Sequence, residues 1–163
     1  MAQQAEVNGV SSNIKDFDSL DKSIQELIEA AVQARKRAYC PYSNFAVGAA
    51  IRATSGEIFT GCNIENGSIG LSLCAERGAI AKAVSEGHRA FAEIAIVAYQ
   101  ENSFTSPCGM CRQVLSEFTP IDMPVYLAKP APSRVLCTSV CGLLPHRFIP
   151  DFKLPENLNF KDV

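Results

Sequence analysis

Cys74-Ala-Glu-Arg-Gly-Ala-Ile-Ala-Lys-Ala-Val-Ser-Glu-Gly87, then Ala92-Glu-Ile-Ala-Ile-Val-Ala-Tyr99, then Pro107-Cys-Gly-Met-Cys-Arg-Gln-Val-Leu-Ser-Glu-Phe118 read as helix, strand and helix. After Cys74 the apolar residues Ala79, Ile80, Ala83 and Val84 recur at helical spacing until Gly87 supplies a stop. The middle segment is almost continuously apolar and of strand length, as expected of a strand covered on both faces. From Gly109 to Phe118 the residues Val114, Leu115 and Phe118 repeat the helical spacing. A helix, a buried strand and a second helix return the chain to the same end of a sheet. Cys74 and the Cys108/Cys111 pair can therefore meet there.

Three thiols and one carboxylate at such a meeting point suit a metal. Both cysteine groups open helices, where unpaired amides and the positive end of the dipole favour thiolate over thiol. A structural zinc site is closed by four protein ligands, whereas three leave a fourth corner for water. Cys74, Cys108 and Cys111 are thus the candidate ligands for one Zn2+ per chain, and Glu76, two residues past the first, is the candidate proton shuttle. By itself Cys108-Gly-Met-Cys111 also fits a redox pair or half of a structural zinc site; Cys74-Ala-Glu76 upstream is what favours a catalytic one. Cys40, Cys62, Cys137 and Cys141 read as compact core residues, although Cys137 and Cys141 could mimic a ligand pair.

Composition narrows the class. With 163 residues, 47% of them hydrophobic and 20% charged, the chain has the material for one globular domain that buries about two thirds of its unfolded surface. Seven cysteines, an odd number with three assigned to metal, argue against a disulfide framework and for a reducing, cytoplasmic setting. Residues 1–13 lack a basic segment followed by an apolar one, and no apolar run approaches the roughly 18 residues of a membrane span. A net charge of −2 and a pI near 5.7 disfavour polynucleotides, whose partners carry a basic stripe. The only basic cluster is Arg35-Lys-Arg37, which a helix C-terminus explains through its dipole.

The remaining elements follow from period and punctuation. Leu20, Ile24, Leu27, Ile28, Ala31 and Val32 form an apolar helical face, with Asp18 or Ser19 as expected cap and Pro41 as terminator. Residues 45–54 and 58–64 read as strands joined by the Ser55-Gly-Glu57 turn. Strands over 125–128 and 135–138 follow the second cysteine helix, and a short helix is expected between Ser139 and Pro145. The predicted fold is α/β: three layers, α/β/α, with a mixed sheet of about five strands. Residues 1–17 are expected to be a flexible N-terminal tail, 18–152 the catalytic domain and 153–163 a C-terminal tail.

The paired cysteine motifs resemble the zinc-dependent nucleoside and nucleotide deaminases. Together with Tyr39-Cys-Pro-Tyr-Ser-Asn-Phe-Ala-Val-Gly-Ala-Ala50 and Cys62-Asn-Ile-Glu-Asn66, they resemble the small homotetrameric cytidine deaminases over about residues 20 to 148. This resemblance implies hydrolysis of cytidine and 2′-deoxycytidine to uridine and 2′-deoxyuridine in pyrimidine salvage, by a cytoplasmic homotetramer that binds neither nucleic acid nor membrane. It implies that Glu76 moves the proton, that Asn63 and Glu65 hold the ribose 3′-hydroxyl, and that Phe45 packs on the pyrimidine. It further implies that the Ala75 amide and the Ser106 carbonyl meet the base, and that Phe148 enters a neighbouring subunit's site. Arg77, by the same likeness, hydrogen-bonds the zinc-bound sulfurs and offsets the negative charge that three thiolates bring; Arg112 could share that task.

Three positions depart from the family's pattern. Ile69 stands where Tyr is common, Gly78 where Thr or Val is usual, and Gly142 where a glutamate precedes Leu-Leu-Pro. None removes the metal or the shuttle; the first takes a hydroxyl from the sugar site. Deamination of another small aminopyrimidine compound is the enzymatic alternative, which Asn63 and Glu65 disfavour. A zinc-bound partner subunit without catalysis is the non-enzymatic one, which Glu76 disfavours.

Overall fold

The computed structural model describes residues 13–119 and 121–149. Helices α1 (Lys22–Arg35), α2 (Ala75–Ser85), α3 (Gly109–Glu117) and α4 (Val140–Leu143) surround strands β1 (Ile14–Asp16), β2 (Val47–Ala53), β3 (Ile58–Cys62), β4 (Phe91–Ala98), β5 (Pro124–Ala128) and β6 (Arg134–Ser139). The strands form one sheet in the order β1-β6-β5-β4-β2-β3. Only β4 and β5 pair in parallel; the other neighbours are antiparallel. Since β2 is antiparallel to both β3 and β4, strands β3, β4 and β5 run the same way. Helices α2 and α3 each follow one of them, which brings both helix N-termini to one end of the sheet.

Alternation along the central strands explains the layers. In β4, Ile94 and Ile96 join Ala49, Ile51, Ala79, Ile80, Leu115 and Leu127 in one cluster, under α2 and α3. The intervening Ala95 and Val97 join Leu27, Ile28, Ala31, Ala50 and Ala128 on the opposite face, under α1. Burial on both sides leaves little room for polar residues, which is why residues 94–98 are apolar throughout; Glu93, nearer the start of β4, is paired with Arg52 at 2.9 Å. Two glycines set how closely the helices approach. A Cβ on Gly48 would lie 2.2 Å from the Ala31 carbonyl oxygen in α1, and one on Gly61 would lie 2.3 Å from the Ala75 oxygen in α2. Both positions need a hydrogen where other residues carry carbon.

Several expectations need correction. The sheet has six strands rather than about five. The sixth, β1, falls within residues 1–17, expected to be tail, but Ile14, Lys15 and Asp16 pair with Leu136, Val135 and Arg134. Phe17 N then donates to the Ser133 carbonyl at 2.9 Å. Neither Asp18 nor Ser19 caps α1, because residues 17–19 make a 3-10 turn and Asp21 holds the cap position. The same helix ends at Arg35, well short of Pro41: Lys36 and Arg37 close a tighter turn onto Gln33 and Ala34, and Tyr39 already bridges to Ile64. Strand β3 stops at Cys62, short of Ile64. Residues 1–12 of the expected 1–17 tail, and the whole of the expected 153–163 tail, lie outside the described residues.

Candidate metal centre

Cys74 and Cys108 occupy the N-cap positions of α2 and α3, with extended backbone (φ −74° and −66°) and no side-chain capping bond. Neither sulfur is used to satisfy its own helix, so both are free to face the space between the two N-termini. Cys111 follows one turn into α3 and is 0% exposed. The three Sγ atoms lie within 4.8 Å of one another, and they are the one group among the described residues that could hold a metal ion. Cys74 and Cys108 Sγ are 3.9 Å apart. Tetrahedral zinc with bonds of about 2.3 Å to sulfur requires ligand sulfurs about 3.8 Å apart. Spacing, softness and helix-terminal placement of the donors all fit zinc.

Charge on the sulfurs is managed locally. Hydrogen bonding from Cys111, then from the Arg77 guanidinium, holds the Cys74 thiol far down, at about 5. Cys111, as the thiol on the other side of that bond, is pushed up, with burial adding to the effect. Arg77 Nη2 lies 3.8 Å from Cys74 Sγ and donates to the Ser72 carbonyl at 3.1 Å. Its Nε is buried with no hydrogen-bond partner, so the guanidinium is held beside the cluster through Nη2, by the Ser72 carbonyl and the Cys74 sulfur. Arg112 has a different job: its Nε donates to Pro107 O at 2.8 Å and its Nη1 to Leu143 O at 2.7 Å. The two arginines, which sequence could not rank, are separated by geometry.

Glu76 is only 4% exposed. Burial pushes its carboxyl above the ordinary range, and the charge on Cys74 adds to the rise. A buried carboxyl whose pKa is raised is suited to take up a proton and return it. It sits in the first turn of α2, in hydrogen-bond contact with Cys111 and within electrostatic reach of Cys74.

Asn63 and Glu65 lie beyond the end of β3, yet the chain stays extended because Ile64 bridges both Tyr39 and Leu73. Both side chains reach the segment before β2. Asn63 Oδ1 accepts from Val47 N at 2.7 Å, and its Nδ2 donates to Phe45 O at 2.8 Å. Glu65 accepts from the Ser43 hydroxyl and from the amides of Tyr42, at 2.9 Å, and Ser43, at 3.2 Å. This pattern holds the carboxyl below its ordinary range, chiefly through Ser43. Asn44 makes the local turn possible by taking φ 55°, a conformation that asparagine tolerates better than most residues. Tyr42, Ser43, Glu65, Asn66, Ile69 and Ser72 line a cavity of about 290 Å³. Sequence reading missed Ser43 and Ser72, whose roles depend on contacts 22 residues and 5 residues away.

The other expected site residues fall in three settings. Ala75 is fully buried at the first position of α2, Phe45 is half-buried, and Ser106 is exposed just before the buried Pro107. Phe148 is 71% exposed, and its carbonyl accepts from Gln113 Nε2 at 3.0 Å. Cys40, Cys62, Cys137 and Cys141 join no metal-ligating group among the described residues; each is partly buried.

Known proteins resemble this chain. Cytidine deaminase from Sporosarcina psychrophila is 48% identical over 125 residues, 77% of this chain and 90% of that protein. Cytidine deaminase from Halalkalibacterium halodurans is 52% identical over 124 residues, 76% of this chain and 92% of that protein. The crystal structure of cytidine deaminase from Burkholderia pseudomallei superposes with a TM-score of 0.71 at 46% identity, covering 76% of this chain and 97% of that one. The family model for the cytidine and deoxycytidylate deaminase zinc-binding region matches residues 21–128, a span that holds all three thiols, Glu76 and Arg77, and the chain belongs to that family.

Proposed function

We propose that this chain is a zinc-dependent cytidine deaminase that hydrolyses cytidine and 2′-deoxycytidine to the corresponding uridines and ammonia, serving pyrimidine salvage. The observation that carries this reading is the cluster of three thiol sulfurs at two helix N-termini with a buried carboxyl, Glu76, in the first turn of one of them. Zinc held by Cys74, Cys108 and Cys111 would supply the Lewis acid that lets water ionise near neutral pH. Glu76 takes the proton from the attacking water and passes it to N3 of the cytosine ring. It then carries the second proton from the new C4 hydroxyl to the amine, so that ammonia leaves as the C4 carbonyl forms and one carboxyl serves both barriers.

Orientation falls to the other residues. The Ala75 amide, in the first turn of α2, has no intrahelical acceptor and so can donate to the base. The Ser106 carbonyl accepts from the 4-amino group, and Phe45 packs against the ring. Asn63 and Glu65, fixed from behind by the 42–47 segment, hold the ribose 3′-hydroxyl. A site built to pair with that hydroxyl rejects free cytosine, which would leave buried polar groups unpaired. Arg77 offsets the charge of the thiolates.

A homotetramer would cover the exposed apolar side chains of Ile69 (84%), Leu71 (72%), Phe148 (71%) and Ile149 (64%). In that assembly Phe148 completes a neighbour's site. A cytoplasmic location fits seven cysteines that are all free thiols, and no helix of the described residues is long and apolar enough to cross a membrane. The direct test is an ultraviolet assay comparing cytidine, deoxycytidine, cytosine, adenosine and a single-stranded oligonucleotide. Turnover of the two nucleosides alone is expected. Turnover of the oligonucleotide, or of none of the five by zinc-loaded protein, would overturn the assignment.

A further inference from the structure

Between the end of β4 at Ala98 and the start of α3 at Gly109 the chain has no regular structure, and this is the loop that carries Cys108 and Ser106. Cys108 makes no side-chain capping bond to α3. Something else must therefore fix the loop beside the sulfur. Arg112 is placed to do it. Its two donations, 2.8 Å to Pro107 O and 2.7 Å to Leu143 O, join the residue just before Cys108 to the last residue of α4. α4 is anchored at its start, where Val140 N donates to Met123 O at 3.0 Å, Val140 is 1% exposed and Ser139 Oγ accepts from Gly142 N at 3.1 Å; at its end Leu144 N closes the turn on Val140 O at 2.9 Å and Leu143 packs against the core. Among the described residues Arg112 makes no ion pair, so its hydrogen bonds go to neutral carbonyls and serve backbone placement. A guanidinium offers a planar fork with two fixed donor directions, whereas an ammonium is a point.

We infer that Arg112 is a positioning residue: by bridging the Pro107 and Leu143 carbonyls it fixes the Cys108 loop against α4, while its neighbour Gln113, bonded to Phe148 O, fixes the segment that carries Phe148. The kinetic half of this inference rests on the deaminase reading; the spectroscopic half does not. Replacing zinc with cobalt gives thiolate-to-metal and ligand-field bands that report the geometry at the sulfurs. In Arg112→Gln these bands shift, and kcat per bound metal falls roughly tenfold to hundredfold, the scale of a small misplacement near reacting atoms. Arg112→Lys stays below wild type, because one point donor cannot span both carbonyls. Gln113→Ala leaves the cobalt spectrum unchanged and shows its loss in KM for cytidine. Wild-type spectrum and kcat in Arg112→Gln would overturn the inference, as would matching losses in both variants with no spectral change, the signature of simple destabilisation. If Arg112→Gln does not fold, the same readouts on Arg112→Lys decide. Should wild-type protein fail to turn over cytidine, the functional reading falls, and the cobalt spectra still judge the bridge.

Discussion

The sulfur cluster and the cavity beside Glu65 are built by opposite means. Around Cys74, Cys108 and Cys111 the chain is held by its core: Ala75, Ala79, Cys111 and Leu115 are at most 1% exposed, and α2 lies so close to β3 that Gly61 cannot carry a side chain. Around Glu65 the same chain is held at its surface by side chains bonding to backbone, with Tyr42, Ile64, Ile69 and Leu71 largely exposed. Packing restricts the first region to a few residue types, and hydrogen bonds leave the second freer. The resembled pattern is kept at the three cysteines and Glu76, while its departures fall in both regions: Gly78 in α2, against Gly61, and Ile69 beside the cavity. Bond-making needs sub-ångström placement, whereas a recognition contact can be gained or lost at modest cost.

The sharpest way to break this contrast is at the metal end. Cys111→Ala should lose both metal and activity, while Glu76→Gln should keep about one zinc per chain and lose roughly 10²-fold to 10⁴-fold in kcat, the usual span for a lost general acid-base group. Metal analysis beside steady-state kinetics separates the two. Near-normal turnover in zinc-loaded Glu76→Gln would remove Glu76 as the proton carrier.

Two glycines compare the regions by stability alone. A Cβ at Gly61 would sit 2.3 Å from the Ala75 oxygen and 2.4 Å from Ala79 N, whereas one at Gly70, beside Ile69, would meet nothing within 4 Å. Gly61→Ala must push α2 away from β3, at a cost of about 1–3 kcal/mol for overpacking. That corresponds to a Tm lower by about 2–12 °C in a chain of this size. Gly70→Ala should leave Tm unchanged or raise it slightly, since it mainly restricts the unfolded chain. Calorimetry on the metal-free and zinc-loaded pair checks both; equal shifts would mean that the two regions are packed alike.

The sequence spoke more clearly about the first region than about the second. Helices α2 and α3 announce themselves because a buried helix face must repeat every three or four residues, and the cysteines mark where each begins. Strand β4 was visible because burial on both faces leaves residues 94–98 apolar throughout. Strand β1 was not, since three residues at a sheet edge, with only Ile14 partly covered, are too short for any alternation. Asn63 and Glu65 were found through motif resemblance, but their partners Ser43, Val47 and Phe45 lie 16 to 22 residues away, beyond any local pattern. Arg77 follows Cys74 by three residues and Arg112 adjoins Cys111, and only the directions of their side chains tell a contact with the Cys74 sulfur from a bridge between the Pro107 and Leu143 carbonyls.

At the cavity the expected effects are smaller. Ile69→Tyr would put a hydroxyl at the one aliphatic position among the residues that line the cavity. One added hydrogen bond is worth about 0.5–1.5 kcal/mol, up to roughly tenfold in KM. Because such a contact serves ground state and transition state alike, KM for cytidine should fall with kcat little changed. An unchanged KM would mean that the cavity lined by Ile69 is not part of the nucleoside site.

The smallest effect belongs to Ser43, and pH reveals it. Its hydroxyl is the leading reason that the Glu65 carboxyl lies below the ordinary range, with the Tyr42 and Ser43 amides helping. A carboxyl so lowered in the folded chain favours folding at pH values above its unfolded range, and that contribution is lost as pH falls through the lowered folded value. The ionised form is also the better acceptor for a sugar hydroxyl. Wild-type KM should therefore stay flat on acidification until pH passes below the ordinary carboxylate range. In Ser43→Ala the carboxyl moves back up, so the rise in KM begins at a higher pH, while KM at neutral pH changes less than in Ile69→Tyr. The zinc-loaded kcat, set by Glu76 in the packed region, should keep its own pH profile. If KM in Ser43→Ala follows the wild-type curve at every pH, Glu65 is not the group that reads the sugar; if the kcat profile moves with it, the two regions are not independent.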